Sequence, residues 1–287
     1  MPHFELLISG ILLGGVYALI ACGLNLIFGV MRVINFAHGD MLAIGALTTV
    51  SLVIGFDIPY VMALFLVPIM TACIGLLMQR LVIQKIIEGP MIMSLLATFA
   101  ISMILVNVGL LIWGGGFRSL STVLSGSVPL LGLDIPLARL VSFCIAMGAT
   151  LIIWWFLQST RFGKAIRAAS QAAELAIVSG ISIAKVRYVT FALGAGMAGL
   201  AGVLMAPMFA VDAQLGVRFG IKAFAVIIIG GMGSYPGAML GALLIGVLEV
   251  YVGYLYGQVL GTAIVFLVML MVLVIRPKGL FGVGAST

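Results

Sequence analysis

An all-α, polytopic membrane helical bundle is the fold class this sequence predicts, on three observations. Of its 287 residues, 64% are hydrophobic and only 8% charged, about a third of the charge in an average soluble domain. A mean hydropathy of +1.36 leaves more apolar surface than a globule can bury, so the surplus must face lipid. The apolar residues also gather into about eight runs near the ~20 residues that cross a bilayer as helix.

In order, those runs are 6–30, 41–56, 59–77, 91–113, 138–157, 188–210, 224–256 and 259–275. The first is long enough to be a permanent span, and Met-Pro-His-Phe-Glu before it lacks the basic start of a secretory signal. The second is short. The seventh is long and broken by Gly230, Gly231, Gly233, Ser234, Pro236 and Gly237. No shift in composition marks a soluble domain, so residues 1–287 read as one transmembrane domain.

Orientation follows from Lys and Arg, which collect on cytoplasmic loops. The densest basic stretch, 158–187, carries Arg161, Lys164, Arg167, Lys185 and Arg187. With that stretch in the cytoplasm, Arg32 and the Arg80/Lys85 loop fall there too. The N-terminus and the 117–136 loop, whose single basic residue is Arg118, fall outside. The net charge of +6 is thus a property of loops and gives no reason to expect nucleic acid. Arg276 and Lys278 join the cytoplasmic side only if 222–256 forms a re-entrant hairpin or two crossings. Non-helical backbone at membrane depth needs protein or a water-filled cavity around it, so the break also hints at a pathway. Arg218 and Lys222, which this scheme leaves outside, run against the rule.

Gly194, Ala198 and Gly202 recur every four residues, with Ala195 and Gly199 beside them, and Gly237 and Gly241 repeat the spacing. Small residues at this interval let helices approach closely in lipid. General packing is one reading of them and a moving interface the other.

Three segments and one residue carry possible chemistry. Residues 32–40, Arg-Val-Ile-Asn-Phe-Ala-His-Gly-Asp, set Asn35, His38 and Asp40 beside Phe36 and Gly39 between two spans. Polar groups at membrane depth tend to line pathways; a solvated turn with Asp40 capping the next helix is the plain alternative. In 161–181, Ala165, Ala169, Ala172 and Ala176 fall at helical spacing and Gly180 is a plausible stop. Such a helix could dock in a partner's groove or lie flat on the membrane. Gly230, Gly231 and Gly233 lack the Gly-Lys of a phosphate loop, and Gly163-Lys164 has Gln158 where that motif needs glycine. Glu249 stands alone in an apolar stretch, as a functional carboxylate or as the partner of a basic group on another helix.

Enzymatic readings are thin. The two histidines, His3 and His38, exclude a HExxH zinc site, and the serines near Ser125 and Ser127 fall on the opposite predicted side from His38. Cys22, Cys73 and Cys144, read as buried thiols in apolar stretches, have neither disulfide nor zinc-ligand spacing. No catalytic or metal residue is expected.

Taken together the segments resemble the permeases of branched-chain amino acid ABC importers, in particular the LivH-type subunit. The likeness runs over nearly the whole chain. It is carried by Gly15-Val16-Tyr17-Ala18-Leu19-Ile20-Ala21, by Ile34-Asn35-Phe36-Ala37-His38-Gly39-Asp40, and by Arg161-Phe162-Gly163-Lys164 with Glu174-x-Ala176-x3-Gly180-Ile181. Gly230-Gly231-Met232-Gly233-Ser234-x-x-Gly237-Ala238, Gly246-x-x-Glu249 and the tail Arg276-Pro277-Lys278-Gly279-Leu280-Phe281-Gly282 complete it. The resemblance implies a single transmembrane permease domain in a bacterial inner (plasma) membrane. It implies a second permease of the LivM type, two cytoplasmic ATPases that bind the ATP, and an extracytoplasmic solute-binding protein. It makes 158–187 the ATPase-coupling element, with Arg161, Gly163, Arg167, Ala172, Glu174, Ala176 and Gly180 as its residues. Asn35, Phe36, His38, Gly39, Asp40, Gly230, Gly231, Gly233 and Glu249 become pathway candidates. The chain departs from the family where Gln171 is followed by Ala172 rather than Asp or Asn, which puts a polar contact there in doubt. Amino acids, urea and short amides are all substrates within the family. The rival class is a stand-alone secondary transporter or channel, for which Glu249 near the glycine break would serve as the coupling carboxylate.

Overall fold

The computed structural model describes residues 2–121, 123–130 and 133–282. Helix α1 (Pro2–Met31) is 30 residues long, about 45 Å at 1.5 Å per residue. It ends at Arg32, whose φ of 52° turns the chain back on itself. Residues 33–37 then re-enter the protein, and α2 (His38–Val50) starts in its interior and runs on as a π-helical turn to Gly55. Next come α3 (Tyr60–Met78), a π turn at Gln79–Ile83 and the single turn α4 (Gln84–Ile86). They are followed by α5 (Met91–Trp113), the antiparallel hairpin β1 (Ser127–Leu130) and β2 (Leu133–Pro136), and α6 (Leu137–Ser159). Two short helices, α7 (Arg161–Gln171) and α8 (Ala173–Val178), precede α9 (Ile183–Met205), α10 (Leu215–Gly230), α11 (Tyr235–Tyr256) and α12 (Gln258–Ile275). Among the described residues, eight helices are long and apolar enough to cross a membrane. The 16-residue α10 is the short addition.

Contacts show which ends share a face. Asn25 near the end of α1 bonds the turn before α11, and the tail bonds the end of α10 through Leu280 N to Ile229 O at 2.8 Å. Helix α6 runs parallel to α1, with Phe143 against Gly15 and the Thr150 carbonyl accepting from Tyr235 Oη. Its end, α7 and α8 therefore lie on the same face as the Arg276–Lys278 tail. Helix α3 is antiparallel to α9, with Tyr60 bonded to Val203 O and Gly75 against Ala195, which brings Arg80 and Lys85 to that face as well. This is the face on which Lys and Arg collect, the one the positive-inside rule assigns to the cytoplasm. On the opposite face His3 bonds Tyr251, and Arg118 pairs with Val211.

The return of Arg276 and Lys278 to the basic face comes through α10 and α11, an antiparallel pair joined at the glycine break. The first arm begins at Leu215, not near residue 224. The sequence missed this start because Arg218 and Lys222 interrupt the apolar run.

Glycine and alanine seams hold the centre. Gly194 packs on Gly23 and Ile27, Gly199 on Gly45 and Thr71, and Gly202 on the backbone of α2 from Leu42 to Ala46. The four-residue spacing on α9 thus serves close helix approach. Helices α1, α2 and α9 are mostly buried, while α5 and α12 expose most of their length. Cys22 is buried, but Cys73 and Cys144 are exposed on the outer surface, where a thiol is as compatible with lipid as with a core.

Candidate functional site

The re-entrant segment forms the first of two polar clusters. His38, Gly39 and Asp40 are the first turn of α2, and Asn35, His38 and Asp40 are all buried, with at most 2% exposed. That removes the solvated-turn alternative; Ala37, not Asp40, is the N-cap. His38 Nε2 donates to the Ile20 carbonyl at 3.1 Å. Ile20 lies 11 residues before Met31, about 16 Å along α1 from its C-terminal end. Thr98 on α5 ties the segment down, donating to Ile34 O at 2.8 Å and accepting from Phe36 N at 3.3 Å. Phe36 packs edge-on to Phe99 and against Phe224.

Much of this cluster is unsatisfied. Both amide atoms of Asn35, Nδ1 of His38 and both oxygens of Asp40 lack a well-formed hydrogen bond among the described residues, although Ser102 on α5 faces Asp40. With Nε2 donating, His38 Nδ1 is left an acceptor. The cluster therefore presents four acceptor atoms against one amide donor. A buried unpaired polar atom costs about 1–3 kcal/mol, so such a concentration demands a reason.

Beside it, two helix N-termini meet. A β-carbon at Gly39 would lie 2.1 Å from the Gly216 carbonyl oxygen, and one at Gly216 would lie 2.6 Å from Asp40 Cα. The starts of α2 and α10 touch backbone to backbone, which only glycine at both positions permits.

The second cluster is satisfied. Lys222 Nζ on α10 donates to Glu249 Oε1 on α11 at 2.5 Å, and Tyr17 Oη on α1 donates to Oε2 at 2.9 Å. The ammonium also sits 5.3 Å from the Phe219 ring centre. All three groups are buried. A buried charge needs such a partner, so the alternative of a basic group on another helix is the one found. Lys222 is inside the bundle rather than in an outer loop, and Arg218 forms two bonds to Asp212 at 3.1 and 2.6 Å. Lys222 therefore no longer counts against the charge rule, whereas Arg218, with its side chain 47% exposed, still does. Tyr17 and Ile20 are one turn apart on α1, so the clusters are neighbours.

The glycine turn is elsewhere. Gly230, Gly231 and Gly233 lie at the far end of α10 from Gly216. Asn25 clamps the turn, donating to Ser234 O and accepting from Gly233 N, each at 2.7 Å. Gly231 and Gly233 have φ of 105° and 87°, values that favour glycine. The tail covers the turn, Phe281 N donating to Gly230 O at 3.2 Å. The structure thus joins the turn to the C-terminal tail and not to the His38 cluster.

In the basic loop, Thr160 caps α7 by accepting from Gly163 N at 2.9 Å, and Arg167 donates to Gln158 at 2.6 Å. Gly163 is wedged against Phe156 and Leu157. The expected single helix is two, because Ala172 adopts φ −152° and ψ 90°. The alanine face turns inward: Ala169 and Ala176 are buried, whereas Leu175, Ile177 and Val178 are 70%, 59% and 87% exposed. Arg161 and Glu174 are exposed, and Gly180, at φ 80°, closes α8. The alanine stripe lets α7 and α8 pack tightly on their own chain and is not left free for a partner's groove.

Sequence reasoning missed Tyr17, Asn25, Gly216 and Lys222. Asn25, a lone amide in an apolar run, was the available signal; Gly216 gave none without knowing that α2 and α10 meet. Among the described residues no three His, Cys, Asp or Glu side chains gather.

The family model for "branched-chain amino acid transport system / permease component" matches residues 6–275. The BraD permease of a high-affinity branched-chain amino acid transport system in Pseudomonas aeruginosa is 30% identical, over 98% of this chain and 96% of its own. The corresponding LivH protein of Escherichia coli K12 is 28% identical, over 96% and 94%. A probable LivH of Methanocaldococcus jannaschii is also 28% identical, over 96% and 91%.

Proposed function

Because the chain belongs to the permease-component family of branched-chain amino acid transport systems, a family of transport proteins rather than enzymes, we propose that it is one permease subunit of an ABC importer. The solute is a branched-chain or similar amino acid, carried inward across a bacterial plasma membrane. The energy comes from ATP bound by two separate cytoplasmic ATPases. A second, LivM-like permease and an extracytoplasmic binding protein complete the assembly.

The observation that carries this reading is the cytoplasmic pair α7–α8. Its inner face packs on the bundle while Leu175, Ile177 and Val178 are left uncovered by this chain, in the stretch that also carries Arg161, Lys164, Lys185 and Arg187. Apolar side chains held out from a basic membrane face suit a groove on a soluble partner. In the bundle, the unsatisfied Asn35–His38–Asp40 cluster at the α2–α10 meeting point suits a pathway that changes shape as the subunits rock. Its surplus acceptors suit a solute with N–H donors. For the secondary-transporter alternative, Glu249 is already held by Lys222 and Tyr17, which counts against its serving as a free coupling carboxylate.

Reconstitution tests the reading. Proteoliposomes holding this chain, its partner permease, both ATPases and the binding protein should accumulate leucine on ATP hydrolysis, and the chain alone should not. Ion-driven accumulation by the chain alone would establish the secondary transporter instead.

A further inference from the structure

A cavity of about 410 Å³ opens on the face opposite the basic loops. Its walls come from the first turns of α1, the start of α6, the loop at 206–214 and the α11–α12 turn. Glu249 lies at its inner end, with Glu5, Ser9 and Arg139 among its polar residues and Leu13 and Phe209 among its apolar ones. The volume is within the ~300–1,000 Å³ of small-molecule sites.

The charges decide what could occupy it. Glu249 is already engaged by Lys222 and Tyr17. Among the described residues the ion pairs are Arg218–Asp212 and Lys222–Glu249. Glu5 and Arg139 therefore line one cavity with opposite charges and no bridge to each other or to any third group. We propose that this cavity is an entry site for a zwitterionic aliphatic amino acid, whose ammonium goes to Glu5, whose carboxylate goes to the Arg139 fork, and whose side chain lies on Leu13 and Phe209. A planar guanidinium matches a carboxylate with two parallel bonds, and the apolar wall matches a branched side chain. The site rests on the importer reading and adds to it a place on this subunit where solute is held before translocation. It faces the side from which a binding protein would deliver.

The test is thiol protection on the full-length chain, with Cys22, Cys73 and Cys144 replaced and Ser9→Cys introduced. The nanodiscs contain phosphatidylcholine and phosphatidylglycerol. L-Leucine should slow maleimide labelling of position 9, while 4-methylpentanoate and 3-methylbutylamine, each lacking one charge, should not. Arg139→Gln should raise the leucine concentration for half-protection about tenfold, the loss of one charged hydrogen-bonding pair, and Arg139→Lys should retain part of it. Absence of leucine protection, equal protection by the amine, or protection only on adding ethanolamine lipid would overturn the site. Because no ATPase is present, failure here leaves ATP-driven uptake by the complete assembly intact. Failure of that uptake with protection preserved would strike the importer reading alone.

Discussion

The two polar clusters meet α1 one helical turn apart, at Ile20 and at Tyr17, and are built on opposite principles. Tyr17, Lys222 and Glu249 close on one another: each charge has its counter-charge, each carboxylate oxygen its donor. Asn35, His38 and Asp40 are as deeply buried yet leave five side-chain atoms unpaired. A closed set ties α1, α10 and α11 into a unit. An open set leaves polar atoms at the junction of two helix starts without partners from this chain, where water, solute or a different arrangement of the same helices can meet them. The first arrangement suits a brace and the second a passage.

Breaking the brace should have the largest effect. Lys222→Met leaves a buried carboxylate without its cation and should cost about 3–5 kcal/mol, read as a lowered midpoint of thermal unfolding in nanodiscs. The double variant Lys222→Met with Glu249→Met should recover most of that loss, since a well-packed apolar pair often equals a buried ion pair. If the double variant were worse than either single change, the residues would do more than compensate each other.

Smaller effects are expected in the cytoplasmic pair. Ala176→Trp should cost about 1–3 kcal/mol by overpacking, because Ala176 faces the bundle. Val178→Asp should leave the melting midpoint unchanged and abolish co-purification of the ATPases. Equal loss of stability from both would mean that α8 does not present a docking face.

The passage should respond in the reverse sense. Asn35→Leu removes an orphaned amide and should shift stability by less than about 1 kcal/mol, or raise it, while lowering ATP-driven uptake. Loss of stability and transport together would make the segment a second brace. Arg167→Glu, at a solvated bond to Gln158, should give the smallest change, below about 1 kcal/mol and sensitive to salt.

What the sequence made legible follows from the same contrast. Hydrophobic runs and small-residue spacing are local signals, and they located the crossings and the α9 seam. The Ile34–Asp40 segment was visible because polar groups between apolar runs stand out, and its burial follows from the backward turn at Arg32. The partners of Glu249 were not legible: Lys222 is 27 residues away and Tyr17 is 232, and it took the antiparallel packing of α1 on α11 to bring them together. The inward turn of the alanine face was hidden for a related reason, since helical spacing shows that residues share a face but not which neighbour covers it. Glycine at 230, 231 and 233 was correctly a break, yet its clamping by Asn25, 208 residues before Gly233, and its cover by the tail needed the packed helices to be seen.

The most direct test of the contrast is accessibility during turnover. In a Cys-free assembled importer, Ala37→Cys probes the passage and Ala18→Cys the brace; both positions are fully buried at rest. A membrane-impermeant thiol reagent should label position 37 when ATP and substrate-loaded binding protein are present, and neither position without them. Labelling of position 18 at the same rate as 37, or of neither during turnover, would contradict the division into a fixed brace and an opening passage.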